Sequence, residues 1–329
     1  MKKLSLLLVL FVAYQVSLAQ NITVSGMVTN EHGLPLRYAF VLDKQAKSAT
    51  YTDSTGTFSL SANPPTQLII NCKVYTDATV DVGGQKSLQI ILKTDATDTN
   101  TGATANPKSN EITVLENAFK TNSGYDVKAT PGLLGALSDN TQDVVGSRFL
   151  FNKWVPGYII KANGEILQSP LLLFNYDKMK GDLYFTEDLK TVLLADKNVV
   201  KGFILVSPQD QPLPFERMLG ISDDLYSEVI SAGSKYKIYK LITTKYIPSN
   251  YKSDGIYATG NKYDEYADDN SYFVANLTTL SFQPLILKKK SIMEAFAAEG
   301  DKINTFMAAH SSDKINEDYL KKLGDAMNQ

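Results

Sequence analysis

Residues 171–206 read LLLFNYDKMKGDLYFTEDLKTVLLADKNVVKGFILV, and their punctuation decides the fold. Four apolar or aromatic runs, Leu171 to Tyr176, Leu183 to Phe185, Thr191 to Leu194 and Phe203 to Val206, are separated by Lys180-Gly181-Asp182 and Asp196-Lys197-Asn198. Short runs rich in β-branched and aromatic residues, broken by turn formers, predict successive hairpins. The pattern extends upstream through Arg148 to Phe151 and Tyr158 to Ile160, with Asn163-Gly164 as the next turn. Downstream, Tyr226 to Ile230 reads as a strand or a short helix, Tyr236 to Thr243 as a strand, and Tyr272 to Asn276 with Leu285-Ile286-Leu287 as a last pair. The expectation for residues 111–290 is an antiparallel meander of about eight to ten strands, curved over itself or packed as a sandwich. Within it, Glu111 to Asn140 is ambiguous, with a strand signal at Ile112 to Leu115 and a Gly-rich apolar stretch at Pro131 to Leu137.

The periodicity changes at Ser291. Ser291-Ile292-Met293-Glu294 has the form of a capping box, and Ile292, Ala295, Phe296, Ile303, Phe306 and Met307 recur at helical spacing, interrupted by Gly300. Asn316, Tyr319, Leu320, Leu323 and Met327 outline a second amphipathic helix. Residues 291–329 are thus expected to form two helices closing one face or end of the sheet.

Toward the N-terminus, residues 21–93 repeat the β pattern at spacings of about ten residues, which indicates a small β-sandwich. The turns fall at Asn30-Glu31-His32-Gly33 and Asp53-Ser54-Thr55-Gly56, where Gly33 and Gly56 supply the positive φ of tight turns. The ordered set Gly26-Met27-Val28, Gly33-Leu34-Pro35-Leu36, Ala39-Phe40-Val41, Thr52-Asp53, Gly56-Thr57-Phe58 and Leu88-Gln89-Ile90-Ile91-Leu92 resembles the carboxypeptidase regulatory-like domain. That resemblance implies a transthyretin-like sandwich, common in exported proteins of the Bacteroidetes, that serves as an accessory or interaction module and carries no catalytic residues. Where the family has a Gly-Tyr pair, this chain has Val74-Tyr75. The larger region is similar to exported β-rich proteins of the same phylum through Tyr176-Asp177-Lys178-Met179-Lys180-Gly181-Asp182-Leu183, a turn signature to which no activity attaches.

The first 19 residues read as a leader: Lys2 and Lys3, an apolar run from Leu4 to Val16, then Ser17-Leu18-Ala19 before Gln20. The alternative is an uncleaved N-terminal anchor. No later run approaches the ~18 apolar residues of a spanning helix. The expected location is therefore the periplasm or the cell exterior, with association at the outer membrane as a further expectation. Cys72 is the only cysteine, which leaves no internal disulfide and no lipid-accepting Cys beside the cleavage point. In its apolar run, Cys72 reads as a small core side chain rather than a reactive thiol. Residues 94–110, rich in Thr, Asn and Ala, contain no large apolar side chain and read as a flexible linker.

The 33 Lys and Arg against 35 Asp and Glu give a net charge of −2, and loss of Lys2 and Lys3 with the leader takes it to −4. The longest basic run is Lys288-Lys289-Lys290, so no phosphate-neutralising stripe points to nucleic acid. His32 and His310 are the only histidines, and neither has triad or metal-ligand neighbours in sequence. No zinc, nucleophile-elbow or phosphate-loop motif occurs, and no cofactor is expected. What remains is a patch of tyrosines. Tyr246, Tyr251, Tyr257, Tyr263, Tyr266 and Tyr272 are interleaved with Asp254-Gly255, Asp264-Glu265 and Asp268-Asp269. Flat amphipathic rings beside hydrogen-bond acceptors suit sugar hydroxyls or a protein surface, and Tyr251, Tyr257, Tyr263, Tyr266 and Tyr272 are the candidate ligand-binding residues. The same tyrosines also suit a β-sheet with wet hydroxyls, and the acids a solvated loop. Asp264, Glu265, Asp268 and Asp269 are a candidate calcium cluster without the order of an EF-hand loop. The leading reading is a non-enzymatic exported protein that binds an envelope protein or glycan. Its alternatives are a polysaccharide hydrolase using two carboxylates, and a scaffold of an outer-membrane complex.

Overall fold

The computed structural model describes residues 22–94 except 74, and residues 144–329 except 188, 190, 219–221 and 254–256. The leader, the linker after Thr94 and the ambiguous stretch 111–140 lie outside these residues. The chain is mainly β, as expected, and divides into two compact units, Met1–Ala105 and Asn106–Gln329.

The first unit contains β1 (Ile22–Asn30), β2 (Phe40–Asp43), β3 (Ser48–Tyr51), β4 (Thr57–Ala62), β5 (Gln67–Asn71), β6 (Ala78–Asp81) and β7 (Ser87–Leu92). One sheet has the order β4-β1-β7, with β7 parallel to β1, and the other the order β3-β2-β5-β6. Alternate residues face inward, so Val24, Val28, Phe58, Leu60, Leu88 and Ile90 of the first sheet meet Val41, Leu68 and Ile70 of the second in one core. Cys72 lies half-buried at the border of that core, and burial pushes its thiol up from the ordinary value. Thr52, Asp53 and Gly56 of the quoted motifs hold turns. Thr52 Oγ1 accepts from the Ala39 amide (2.8 Å) and donates to the Leu36 carbonyl (2.5 Å). Gly56 sits at φ 76°, and a Cβ there would come within 2.6 Å of the Val28 carbonyl oxygen. Asp53 takes the amides of Thr55 and Thr57 and both of their hydroxyls. Burial raises its pKa, but those donors outweigh it and hold the carboxyl at about 2.

The second unit contains β8 (Val144–Val145), β9 (Val155–Lys161), β10 (Ile166–Leu167), β11 (Leu173–Asp177), β12 (Asp182–Thr186), β13 (Leu193–Leu194) and β14 (Val200–Val206). It continues with β15 (Pro212–Arg217), β16 (Tyr226–Ala232), β17 (Tyr236–Ile247), β18 (Lys252–Ser253), β19 (Ala258–Thr259), β20 (Asp264–Asn276) and β21 (Ser281–Leu285). The main path runs β13-β12-β11-β9-β14-β15-β16-β17-β20-β21, with β10 beside β9 and β8 beside β20. The meander is interrupted once: β9 inserts between β11 and β14 instead of lying outside the hairpins that follow it.

The sheet curls over itself. The segment 144–150 ties β20 to β11 although five strands intervene between them. β8 pairs with Asp264 and Glu265 of β20, Phe149 bridges Asp177, and the Leu150 amide donates to the Tyr176 carbonyl (2.8 Å). Tyr176, Phe203, Phe215 and Tyr226 stack inside the curl, with ring centroids 4.9 to 6.1 Å apart. The Tyr226 amide donates to the Tyr176 hydroxyl (2.9 Å), and burial pushes both phenols well above their ordinary range. Asp177 anchors the β11–β12 turn. Its Oδ1 accepts the amides of Met179 and Lys180, and its Oδ2 takes the Arg148 guanidinium, so a fully buried carboxylate has every lobe engaged. Gly181 closes the turn at φ 68°, where a Cβ would run into the Asp224 carbonyl oxygen.

The C-terminal segment folds as three helices rather than two: α1 (Lys289–Ala295), α2 (Gly300–Ala309) and α3 (Glu317–Asn328). A short 3-10 turn at Ala297–Glu299 breaks the first expected helix. The expected capping box does not form. α1 starts before Ser291, whose hydroxyl instead accepts the Ile286 amide (3.0 Å). Asn316 does cap α3, accepting the Tyr319 amide at 3.0 Å. The apolar positions read from the sequence face the sheet, where Ile292, Phe296, Ile303, Phe306, Leu320 and Leu323 pack on Ile238, Val274 and Leu285. Asn328 locks α3 down: its Oδ1 accepts the amides of Lys235 and Tyr236, and its Nδ2 donates to the Tyr236 and Gly324 carbonyls.

Two outcomes follow. Trp154 is the single tryptophan and packs beside Phe149, Tyr184 and Val192, so its fluorescence reports the second unit. Gly181→Ala should lower that unit's unfolding free energy by about 3 kcal/mol in denaturant titrations followed at Trp154, from left-handed strain plus the carbonyl clash. In the first unit, the depressed pKa of Asp53 stabilises the fold above pH 3.8, and that contribution disappears as pH falls through about 2. Asp53→Asn should therefore speed exchange of the Thr57 amide at pH 7, and the difference from wild type should shrink toward pH 2.

Candidate functional site

Strands β17 and β20 pair over twelve consecutive positions, from Tyr236 with Asn276 to Ile247 with Glu265. Their outer neighbours stop early. β16 accompanies β17 only as far as Lys240, and β21 accompanies β20 only from Tyr272. Beyond those points the two strands continue as a ribbon, with β8 beside Asp264 and Glu265. We call this ribbon the arm; the small β18–β19 ladder lies at its tip.

Register assigns each side chain to a face. Thr244 and Tyr246 share one face with Asp264, Tyr266 and Asp268, while Lys245 and Ile247 share the other with Glu265, Ala267 and Asp269. At the base, the Asp268 carboxylate accepts both the Lys178 ammonium (2.8 and 2.6 Å) and the Thr244 hydroxyl (2.6 Å). Lys178 belongs to the β11–β12 turn and is almost wholly buried, so this ion pair clamps the arm to the curled sheet. Farther out, the Tyr246 and Tyr266 rings lie 5.2 Å apart. The Tyr246 hydroxyl donates to Asp264, which also accepts the Ser249 amide (2.6 Å). These two donors hold the Asp264 carboxyl below its usual range, and the same bond pushes the Tyr246 phenol up. Ser249 and Asn250 fasten the tip through Asn261 and Lys262.

Of the candidate tyrosines, Tyr251, Tyr257 and Tyr263 are exposed at the tip, with Tyr257 the most open. The Lys262 ammonium stands 5.1 Å from the Tyr263 ring centroid. Tyr266 is half-buried against Tyr246. Tyr272 does not join them. Its hydroxyl donates to Glu317 of α3 (2.8 Å), and burial pushes its phenol up, so it fastens a helix to the sheet. Tyr246, Ile247 and Val145 complete the exposed apolar surface. Tyr246 belongs to the same tyrosine run, whereas Ile247 and Val145 carry no distinguishing signal. Lys178 had no sequence signal either, since its partner is 90 residues away.

The calcium cluster is not assembled. Strand alternation puts Asp264 and Asp268 on one face and Glu265 and Asp269 on the other, and among the described residues no three His, Cys, Asp or Glu side chains converge as metal ligands. Two carboxylates do meet elsewhere. Glu228 and Glu317 both face Lys240, at 3.7 and 2.7 Å. Burial raises the pKa of Glu228 while Lys240 opposes it. Lys240 thus pairs with both carboxylates. His32 is exposed in a turn, and His310, at the end of α2, contacts Asp313 at 2.9 Å. The arm thus offers rings, hydroxyls and charges for contact, and no neutral-pH proton-transfer group from a histidine.

No family model matches the chain, and no curated protein matches it. Among the described residues, no helix is long and apolar enough to cross a membrane.

Lys178→Met preserves the buried stem and removes the charge at Asp268. We expect amide exchange at residues 243–247 and 264–269 to accelerate about tenfold, the loss of one charge-assisted hydrogen bond, with smaller change in β9 and β14.

Proposed function

We propose that the chain is an exported, non-catalytic binding protein of the bacterial cell envelope that engages an envelope protein or glycan through its arm. The observation that carries this reading is the group of exposed aromatic side chains, Tyr246 on a ribbon that continues past its neighbouring strands and Tyr251, Tyr257 and Tyr263 at its tip. Monomeric surfaces rarely collect large rings in one place without a partner, because such rings gain far more from burial than from water. Tyrosine also supplies wide contact area with only two side-chain torsions to freeze. The leader reading from Met1 to Ala19 supports export to the periplasm or cell exterior. The resemblance of residues 21–93 to a carboxypeptidase regulatory-like domain supports an accessory module joined to a binding domain.

The test is capture from solubilised envelope membranes by the mature chain and by a Tyr251→Ala, Tyr257→Ala, Tyr263→Ala variant whose Trp154 unfolding midpoint is unchanged. An anchor residue in a binding interface contributes ~2 kcal/mol, so the triple variant should lose its specific protein or glycan entirely. Equal capture by both proteins would overturn the arm as the binding surface and direct attention to residues 22–94.

A further inference from the structure

In the first unit, the sheet β3-β2-β5-β6 meets the core with one face and leaves the other outside. Val41, Leu68 and Ile70 point into the core, so strand alternation turns Leu42, Gln67 and Ile69 outward. An open groove of about 690 Å³ lies against this outer side, and its lining includes Lys44, Gln45, Gln67, Ile69, Thr79 and Asp81. Ile69 is half-buried and forms the floor, while the others are exposed.

Register sets where these side chains stand. Ile69 lies between Leu42 of β2 and Thr79 of β6, and Gln67 pairs with Asp81 of β6. Lys44 follows Asp43, the last residue of β2. Because β2 and β6 flank β5 on opposite sides, the two walls that carry Lys44 and Asp81 stand about 10 Å apart, two strand spacings. Thr66 ties both walls to β5. Its hydroxyl donates to Asp43 (2.8 Å), whose same oxygen accepts the amides of Gln45 (2.9 Å) and Ala46 (3.0 Å). Its carbonyl accepts the Val82 amide (2.9 Å) on the other side. The groove is thus shaped before any ligand arrives, which lowers the ordering cost of binding.

The charges of the two walls are opposite and open to a ligand. Lys44 forms no ion pair among the described residues. Asp81 engages Oδ1 alone, accepting the Gln67 side-chain amide at 2.8 Å. The amides of Gln45 and Gln67 supply both donors and acceptors, the complement of peptide N–H and C=O groups. No aromatic ring is among the lining residues, so a nucleobase or sugar has no face to stack on. We propose that this groove binds a short zwitterionic peptide, with the terminal carboxylate at Lys44, the terminal ammonium at Asp81 and the peptide groups against Gln45 and Gln67. An extended tripeptide spans about 10 Å, which matches the separation of the walls. The site lies wholly within the first unit and does not depend on what the arm binds.

The experiment is titration of the isotope-labelled mature chain with triglycine, read by amide chemical shifts. The amides of Lys44, Gln67, Thr79 and Asp81 should shift and saturate, while those of the arm stay in place. Blocking triglycine by N-acetylation or by C-amidation should each weaken binding about tenfold, the loss of one charge-assisted contact. Lys44→Gln should weaken binding of free triglycine to the same degree and make it indifferent to C-amidation. Asp81→Asn should do the same for N-acetylation. Unchanged protection of the Thr57 amide in both variants shows that the unit remains folded. The absence of a saturable shift at these residues, equal binding of free and blocked peptides, or a Lys44→Gln variant that still distinguishes amidated from free triglycine would each overturn the proposal.

Discussion

The buried carboxylate of Asp177 is the constraint on which the larger unit depends. A carboxylate removed from water costs several kcal/mol unless its oxygens are fully engaged. Here the engagement comes from two sources at once: the amides of its own turn and the guanidinium of Arg148, brought by a segment that also pairs with β20. The charge is satisfied when the segment around Arg148 lies against β11, and the same segment pairs with β20; Lys178, the next residue, meets Asp268 at the base of the arm. One turn thus carries both contacts.

The aromatic stack within the curl adds apolar burial to this polar constraint. Tyr176, Phe203, Phe215 and Tyr226 are almost completely enclosed, and each such ring contributes on the order of 1.5–3 kcal/mol. The polar contacts are smaller but directional. They choose which of many ways of burying rings is the native one, a role that the Tyr226 amide on the Tyr176 hydroxyl illustrates.

Much of this could be read in the chain because local chemistry dictates local structure. The turn from Tyr176 to Leu183, the buried alternation of the first unit and the apolar spacing of the C-terminal helices all follow from near neighbours. What could not be read follows from distant ones. The place of β9 between β11 and β14 is set by contacts across the curl, which leave no periodic trace. Ser291 has the spacing of a cap, yet the helix begins earlier and the hydroxyl serves the Ile286 amide. The sequence Asp264 to Ser271 carries so many polar residues that it reads as a loop. It is a strand because β17 supplies its backbone partners while water bathes much of both faces. The same cause separates the tyrosines: Tyr263 is at the tip and Tyr272 under α3, since a single strand runs from one environment to the other.

That shared strand has a mechanical consequence. A pull on the tip along the axis of β17 and β20 does not peel the ladder open one rung at a time. It slides these strands against β16 and β21 and against the helix that Asn328 fastens to the β16–β17 turn, so the resisting bonds are loaded together. A protein held by this ribbon is gripped in shear, the direction in which a β-sheet yields least.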